Sequence, residues 1–97
     1  MFVGVCRLEL LVPASTSLKD KRAVVRSTLS RLRSEFQLAA AEIEAQDRRG
    51  RAVIGLAVVS NRSEHAREVI EAAARFAEDM RPDAEFITVE TDVLSAF

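Results

Sequence analysis

Hydrophobic and polar positions along this chain switch between two periods, and the switches mark six elements. Residues 2–12 alternate, with Phe2, Gly4, Cys6, Leu8, Leu10 and Val12 on one side and Val3, Val5, Arg7, Glu9 and Leu11 on the other. That is the two-residue repeat of a strand, and its almost wholly apolar first side is expected to meet helices. Pro13 ends the run, because proline cannot donate to a ladder. From Ser17 the period lengthens: Leu18, Val25, Leu29, Leu32 and Phe36 recur at seven, four, three and four residues as one helical stripe. Ser17 is a suitable N-cap, and Asp20 in the first turn suits the positive end of the helix dipole.

Residues 37–47 carry two signals. Ala, Glu, Leu and Gln favour a helix by propensity. Against that, Ala39, Ala41, Ile43 and Ala45 alternate with Leu38, Ala40, Glu42 and Glu44, and Arg48-Arg49-Gly50 forms a short turn into the next run. Two runs joined by a short glycine-containing turn read as a hairpin, so a strand is expected. Residues 51–60 set Ala52, Ile54, Leu56 and Val58 against Val53, Gly55, Ala57 and Val59; apolar on both sides, this is a central strand. A second helix follows, with Asn61 or Ser63 as its cap and Ala66, Val69, Ile70, Ala73, Phe76, Ala77 and Met80 at helical spacing, and Arg81-Pro82-Asp83 stops it. The last strand, about 85–93, sets Ile87, Val89, Thr91 and Val93 against Phe86, Thr88, Glu90 and Asp92. The order βαββαβ predicts an α+β, ferredoxin-like plait: one domain over residues 1–97, a four-stranded antiparallel sheet with two helices on one face, and the first and third strands central.

Charge changes this picture in one place. The first helix carries Lys19, Lys21, Arg22, Arg26, Arg31 and Arg33 against Asp20 and Glu35, a net +4, whereas the whole chain is −1 and the rest therefore −5. Such a polarised surface is suited to an anionic partner. Lys19, Arg22, Arg26 and Arg33 share one flank beside the apolar stripe. The longest uncharged apolar run, Val53 to Val59, is far too short to cross a membrane. Cys6 is the only cysteine, which excludes an intrachain disulfide, and no basic leader precedes the first strand; a cytoplasmic protein is expected.

The helix opening Ser17-Leu18-Lys19-Asp20-Lys21-Arg22, the run Ala41-Glu42-Ile43-Glu44-Ala45-Gln46-Asp47 and the strand Ile54-Gly55-Leu56-Ala57-Val58-Val59-Ser60-Asn61 resemble the YlxP-like family of small uncharacterised bacterial proteins. The resemblance spans nearly the whole chain. It implies the ferredoxin-like fold, a cytoplasmic location and, because members are often encoded beside translation-initiation and ribosome-maturation factors, a role near the ribosome. It implies no activity and no active site. The tip Asp47-Arg48-Arg49-Gly50-Arg51 departs from the longer, aromatic-containing segment common in that family.

Three candidate sites emerge. Lys19, Lys21, Arg22, Arg26 and Arg33, extended by Arg48, Arg49 and Arg51 at the hairpin tip, suit the phosphates of ribosomal RNA or a ribosome-associated protein. The competing reading pairs the helix cations with Glu64, Glu68, Glu71, Glu78 and Asp79 of the second helix. Base stacking on the sheet is not expected: there is no Tyr or Trp, and of the central strands only the first has a Phe, Phe2, on the helix-facing side. The open sheet face, with Val3, Val5, Leu11, Val53 and Val59, suits a homodimer. Catalysis is the weakest reading. His65 has no partner at a defined spacing, Glu42 and Glu44 share a strand face without the further ligands a metal needs, and Pro13-Ala14-Ser15-Thr16 is not a phosphate-cradling glycine loop. No enzyme activity, cofactor or metal is expected.

Overall fold

The computed structural model describes residues 1–12, 17–48 and 50–97. Its elements are β1 (Phe2–Leu11), α1 (Leu18–Phe36), β2 (Ala39–Glu44), β3 (Arg51–Ser60), α2 (Ser63–Met80) and β4 (Glu85–Ser95). The sheet order is β2-β3-β1-β4 with every neighbouring pair antiparallel, so β1 and β3 are central. This is the ferredoxin-like plait the periodicity predicts.

Local chemistry sets the boundaries of α1. The Ser17 hydroxyl accepts from the Asp20 N–H at 3.1 Å, filling one of the orphan donors at the helix start. At the other end Gln37 takes a left-handed conformation (φ 47°, ψ 52°), and its N–H closes on the Arg33 carbonyl. That reversal separates α1 from the alanine-rich segment behind it. Leu38 and Ala40 then bury their side chains in the core. Pairing with β3 and burial beneath α1 outweigh the helical propensity of this segment.

The main core cluster lies between helices and sheet. Cys6, Leu8, Leu10 and Val12 from β1 and its end, with Ala52, Ile54 and Leu56 from β3, meet Val25, Leu29 and Leu32 of α1 and Ile70, Ala73 and Ala77 of α2. The small side chains of α2 let its first turns approach β1 closely. At Gly4 a β-carbon would stand 2.8 Å from the Ala66 carbonyl oxygen, a backbone atom that cannot swing aside. Gly4→Ala is therefore expected to destabilise the fold by about 1–3 kcal/mol, as overpacked sites do. Urea unfolding checks this, and an unchanged midpoint would show that α2 shifts freely.

Three local expectations need correction. The N-cap of α2 is Arg62, which makes no side-chain cap; Ser60 Oγ instead accepts from the Arg62 N–H at 3.1 Å. In β4 the register shifts, with Thr88 opposite Glu9 but Phe86 opposite Leu10. The bulge at Ile87 turns Phe86 to the core side beside Val89 and leaves Ile87 half exposed. In β2, Glu42 lies opposite Ile54 but Glu44 opposite Val53. This second bulge sends the two carboxylates to opposite faces of the sheet.

Candidate functional site

Helix α1 lies over β2 and β3, and its two flanks have different fates. On the inner flank the Arg31 guanidinium stands 5.5 Å above the Phe76 ring of α2, which itself meets Phe36 edge-on at 5.4 Å. The outer flank carries Lys19, Arg22, Arg26 and Arg33, all exposed. Arg33 reaches down to the Ala40 carbonyl on β2, which places this flank above the sheet edge and away from α2. Neither Lys19, Arg22, Arg26 nor Arg33 forms an ion pair with a described residue, and Glu64, Glu68, Glu71, Glu78 and Asp79 of α2 do not neutralise them.

Lys21 does not join this flank. Its side chain is fully buried, and Nζ donates to Glu42 Oε2 at 2.7 Å, the Ala45 carbonyl at 2.8 Å and the Gln46 carbonyl at 3.0 Å. All three ammonium protons are used. The expectation of a phosphate contact at Lys21 is thus corrected: the residue fastens the β2–β3 hairpin to the first turns of α1. Ala45 adopts a left-handed φ of 63°, a conformation costing about 1–2 kcal/mol for a non-glycine residue. Its carbonyl receives both the Lys21 ammonium and the Arg48 N–H. The clamp sets exposed Arg48 at the same end of the molecule as Lys19 and Arg22. Lys21 was legible as a gap. The apolar stripe skips the position three residues after Leu18 and four before Val25, and Lys21 stands there.

The remaining tip residues divide. Arg49 lies outside the described residues. Arg51 sits on the open sheet face, half-buried, with Nε bonded to the Glu9 carboxylate. That hydrogen bond holds the Glu9 carboxyl below the usual carboxylate range and raises the Arg51 guanidinium in turn. Arg51 is committed to Glu9 and leaves the list of candidate phosphate contacts.

Across the open face Arg7 binds Glu44 of β2 at 3.3 Å and Glu90 of β4 at 3.4 Å, with Glu9 beside it at 3.7 Å. One guanidinium thus links both edge strands. Val53, in register with Glu9 and Glu44 at this level, is fully buried, so it is corrected from an exposed interface residue to one covered within its own chain. Leu11 is half-buried at the far end of β1. Toward the other end of the sheet the face becomes apolar. Val3 pairs in register with Val59 on one side and Leu94 on the other, and next to them lies an open trough of about 660 Å³ lined by Val5, Ala39, Ala41, Ile43, Gly55 and Ala57, with Arg7, Glu90 and Asp92 also on its wall.

The groups suited to catalysis are dispersed. His65 is exposed in the first turn of α2, and the described residues contain no group of three or more His, Cys, Asp and Glu able to hold a metal ion. No helix among them is long and apolar enough to cross a membrane. Cys6 is buried in the core, where desolvation, with a smaller contribution from the Glu78 carboxylate, pushes its thiol up to about 11. The folded protein is accordingly expected to resist a thiol-specific reagent at pH 8, while the urea-unfolded chain reacts at once. Equal rates in the two states would contradict this burial.

The profile of a family described as "Protein of unknown function (DUF503)" matches residues 3–91. The uncharacterized protein YlxP of Bacillus subtilis (strain 168) is 36% identical over 59 residues, which is 61% of this chain and 64% of that protein. The alignment thus spans slightly less than two thirds of that relative's length. A solved structure of similar fold is the solution NMR structure of a de novo designed protein with a ferredoxin fold, at TM-score 0.61 and 14% identity, covering 99% of this chain and 88% of that one; at that identity the likeness concerns the fold alone. The family match runs from the first strand well into the last, and the chain belongs to the DUF503, YlxP-like family of proteins of unknown function.

Proposed function

We propose that this protein is a non-enzymatic, cytoplasmic RNA- or ribosome-associated factor that grips phosphates with the outer flank of α1. The observation that carries the reading is the row Lys19, Arg22, Arg26 and Arg33, exposed and without ion-pair partners among the described residues. Taking these four cations out of a −1 chain would leave −5, so the row concentrates on one flank the positive charge that offsets the acids elsewhere. Fourteen residues of helix separate its ends, about 21 Å at 1.5 Å per residue, enough to track several nucleotides of a strand. Arg48 extends the row, because the Lys21 clamp holds the hairpin there.

The chemistry of the flank defines the mode of recognition. Arginine and lysine tips bind phosphate oxygens without reading bases, and each contact releases counterions, so affinity falls steeply with salt. The sheet offers no aromatic platform: Phe2 of β1 is the one aromatic of the central strands and lies on the helix-facing side. Recognition then rests on backbone and shape. Co-sedimentation with purified ribosomal subunits across a salt series tests the reading. Binding to a subunit that weakens linearly in log–log form supports it, and no pelleting even at low salt sinks it. A second reading, a homodimeric regulatory or scaffolding module that binds a protein or small molecule at the dimer interface, draws on the trough of the open sheet face. Binding of a partner that is indifferent to ionic strength would favour that one.

A further inference from the structure

We infer that the free edge of β4 is a docking site for an extended, cationic segment of another protein, which joins the sheet as a fifth strand. The site is separate from the phosphate-gripping flank, because α1 lies over β2 and β3 while β4 forms the opposite border of the sheet.

The ladder fixes which backbone groups are open. The Ala96 N–H donates to the Met1 carbonyl at 2.8 Å, and the register continues that pair through Val3 and Leu94, Val5 and Asp92, and Arg7 and Glu90. Bonded and non-bonded pairs alternate along an antiparallel ladder, so the N–H and C=O groups of Val89, Thr91 and Val93 point off the sheet. Among the described residues the one side chain bonded to them is Asp92, which accepts from the Val93 N–H at 2.8 Å. The other border is treated differently. Carried across the sheet, the same alternation turns the carbonyls of Ala40 and Glu42 off the β2 edge. Arg33 of α1 covers the first, and Gln46 reaches the second at 3.5 Å. A bare strand edge is a template for pairing. The described residues close one edge and leave about 23 Å of the other, from Val89 to Ser95, open.

Charge selects the occupant. β4 carries Glu85, Glu90 and Asp92 and no Lys or Arg. Two-fold pairing with β4 of a second copy, centred on Glu90, Thr91 or Asp92, sets Glu90 on Glu90, Glu90 on Asp92 or Asp92 on Asp92. Like charges directly opposite are destabilising, and opposite charges there stabilise. The acids thus turn away a second copy and favour a cationic strand. Glu90 and Asp92 stand in register with Arg7 and Val5 on the open side of the sheet, so Lys or Arg at alternate positions of the incoming segment lies opposite both. Glu90 is available to it, since its side chain is 64% exposed even beside Arg7. The helix side sets the residues in between. Val89 and Thr91 are in register with Leu8 and Cys6 on the core side, yet both are exposed. Helix α2 stops short of this border and leaves a shelf beside β4 for apolar side chains. A segment alternating cationic and β-branched residues matches the edge, with main-chain bonds holding it and the two rows of side chains selecting it.

A capped heptapeptide alternating arginine and valine, titrated against the full chain by fluorescence anisotropy and amide hydrogen exchange, tests the inference. It is expected to bind and to slow exchange at the Val89 and Thr91 amides, which exchange fast in the free chain. The same peptide N-methylated at its valines keeps charge and composition but loses the backbone bonds to β4, and is expected to bind at least about tenfold more weakly. Thr91→Pro removes an N–H that β1 does not use, a change edge strands tolerate, and is expected to cost the peptide a similar factor while circular dichroism shows the fold retained. Asp92→Lys, at an exposed position, is expected to weaken the peptide about fivefold and keeps the test intact should Thr91→Pro not fold. Any of three results overturns the inference: no binding by the parent chain, equal binding of the N-methylated peptide, or full affinity in a folded Asp92→Lys chain. Arg22→Glu/Arg26→Glu leaves β4 untouched and is expected to keep the binding that N-methylation abolishes, so loss of ribosome binding and loss of peptide binding are separable failures.

Discussion

Replacing Lys21 with methionine is expected to lower stability by about 3–5 kcal/mol, the typical cost of removing one member of a buried ion pair. The side chain is fully buried and its ammonium satisfies the Glu42 carboxylate and the carbonyls of Ala45 and Gln46. Methionine fills most of the volume but donates nothing, leaving a largely buried carboxylate and a left-handed Ala45 without their support. Each kcal/mol corresponds to about 4–8 °C in a domain of this size, so the melting temperature should fall by more than about 10 °C. The double variant Lys21→Met/Glu42→Leu should recover part of the loss, because it removes the orphaned charge. A loss under about 1 kcal/mol in the single variant would show that water reaches Glu42 freely. Lys21 is a positioning residue, and its replacement is also expected to weaken RNA binding by releasing the hairpin that carries Arg48. Arg48→Ala in the otherwise native chain would reproduce that share of the loss without the loss of stability.

The second large effect concerns binding. Arg22→Glu/Arg26→Glu is expected to reduce affinity for ribosomal subunits at least about tenfold at moderate salt, since two charge-assisted phosphate contacts are lost at about 1.5–3 kcal/mol each before reversal is counted. The slope of log affinity against log salt should shrink by about two, roughly one for each contact. Stability should hardly change: both positions are exposed, neither residue is ion-paired with a described residue, and Arg and Glu have similar helix propensities. Full retention of affinity in this folded variant would remove the α1 flank from the mechanism.

Residues near one another in sequence carry the parts of this protein that were readable in advance. The two-residue alternation of 2–12 and 51–60 placed Cys6, Leu8, Ile54 and Leu56 on the core side, and the register confirms the same division. Ser17 marked the start of α1 because its hydroxyl acts on an N–H three residues away. The helical period likewise separated Lys19, Arg22, Arg26 and Arg33 from Lys21 and Arg31, since angular position around a helix depends on spacing alone.

Direction into or out of the molecule was decided by partners distant in sequence. Spacing set Lys21 apart from the basic flank but not what would receive its charge; it turns inward because Glu42, Ala45 and Gln46 supply three acceptors more than twenty residues on. Glu42 and Glu44 shared a face only while the strand kept its period; one inserted residue at Ile43 sends one carboxylate to Lys21 and the other to Arg7. Alternation put Val53 on the open face of a strand apolar on both sides, but it is fully buried at the level where Glu9 and Glu44 bind the arginines there. Periodicity is a property of the backbone and can be read one residue after another. Satisfying a buried charge, shifting a register and covering a face each require a second segment, and only the folded chain brings that segment into contact.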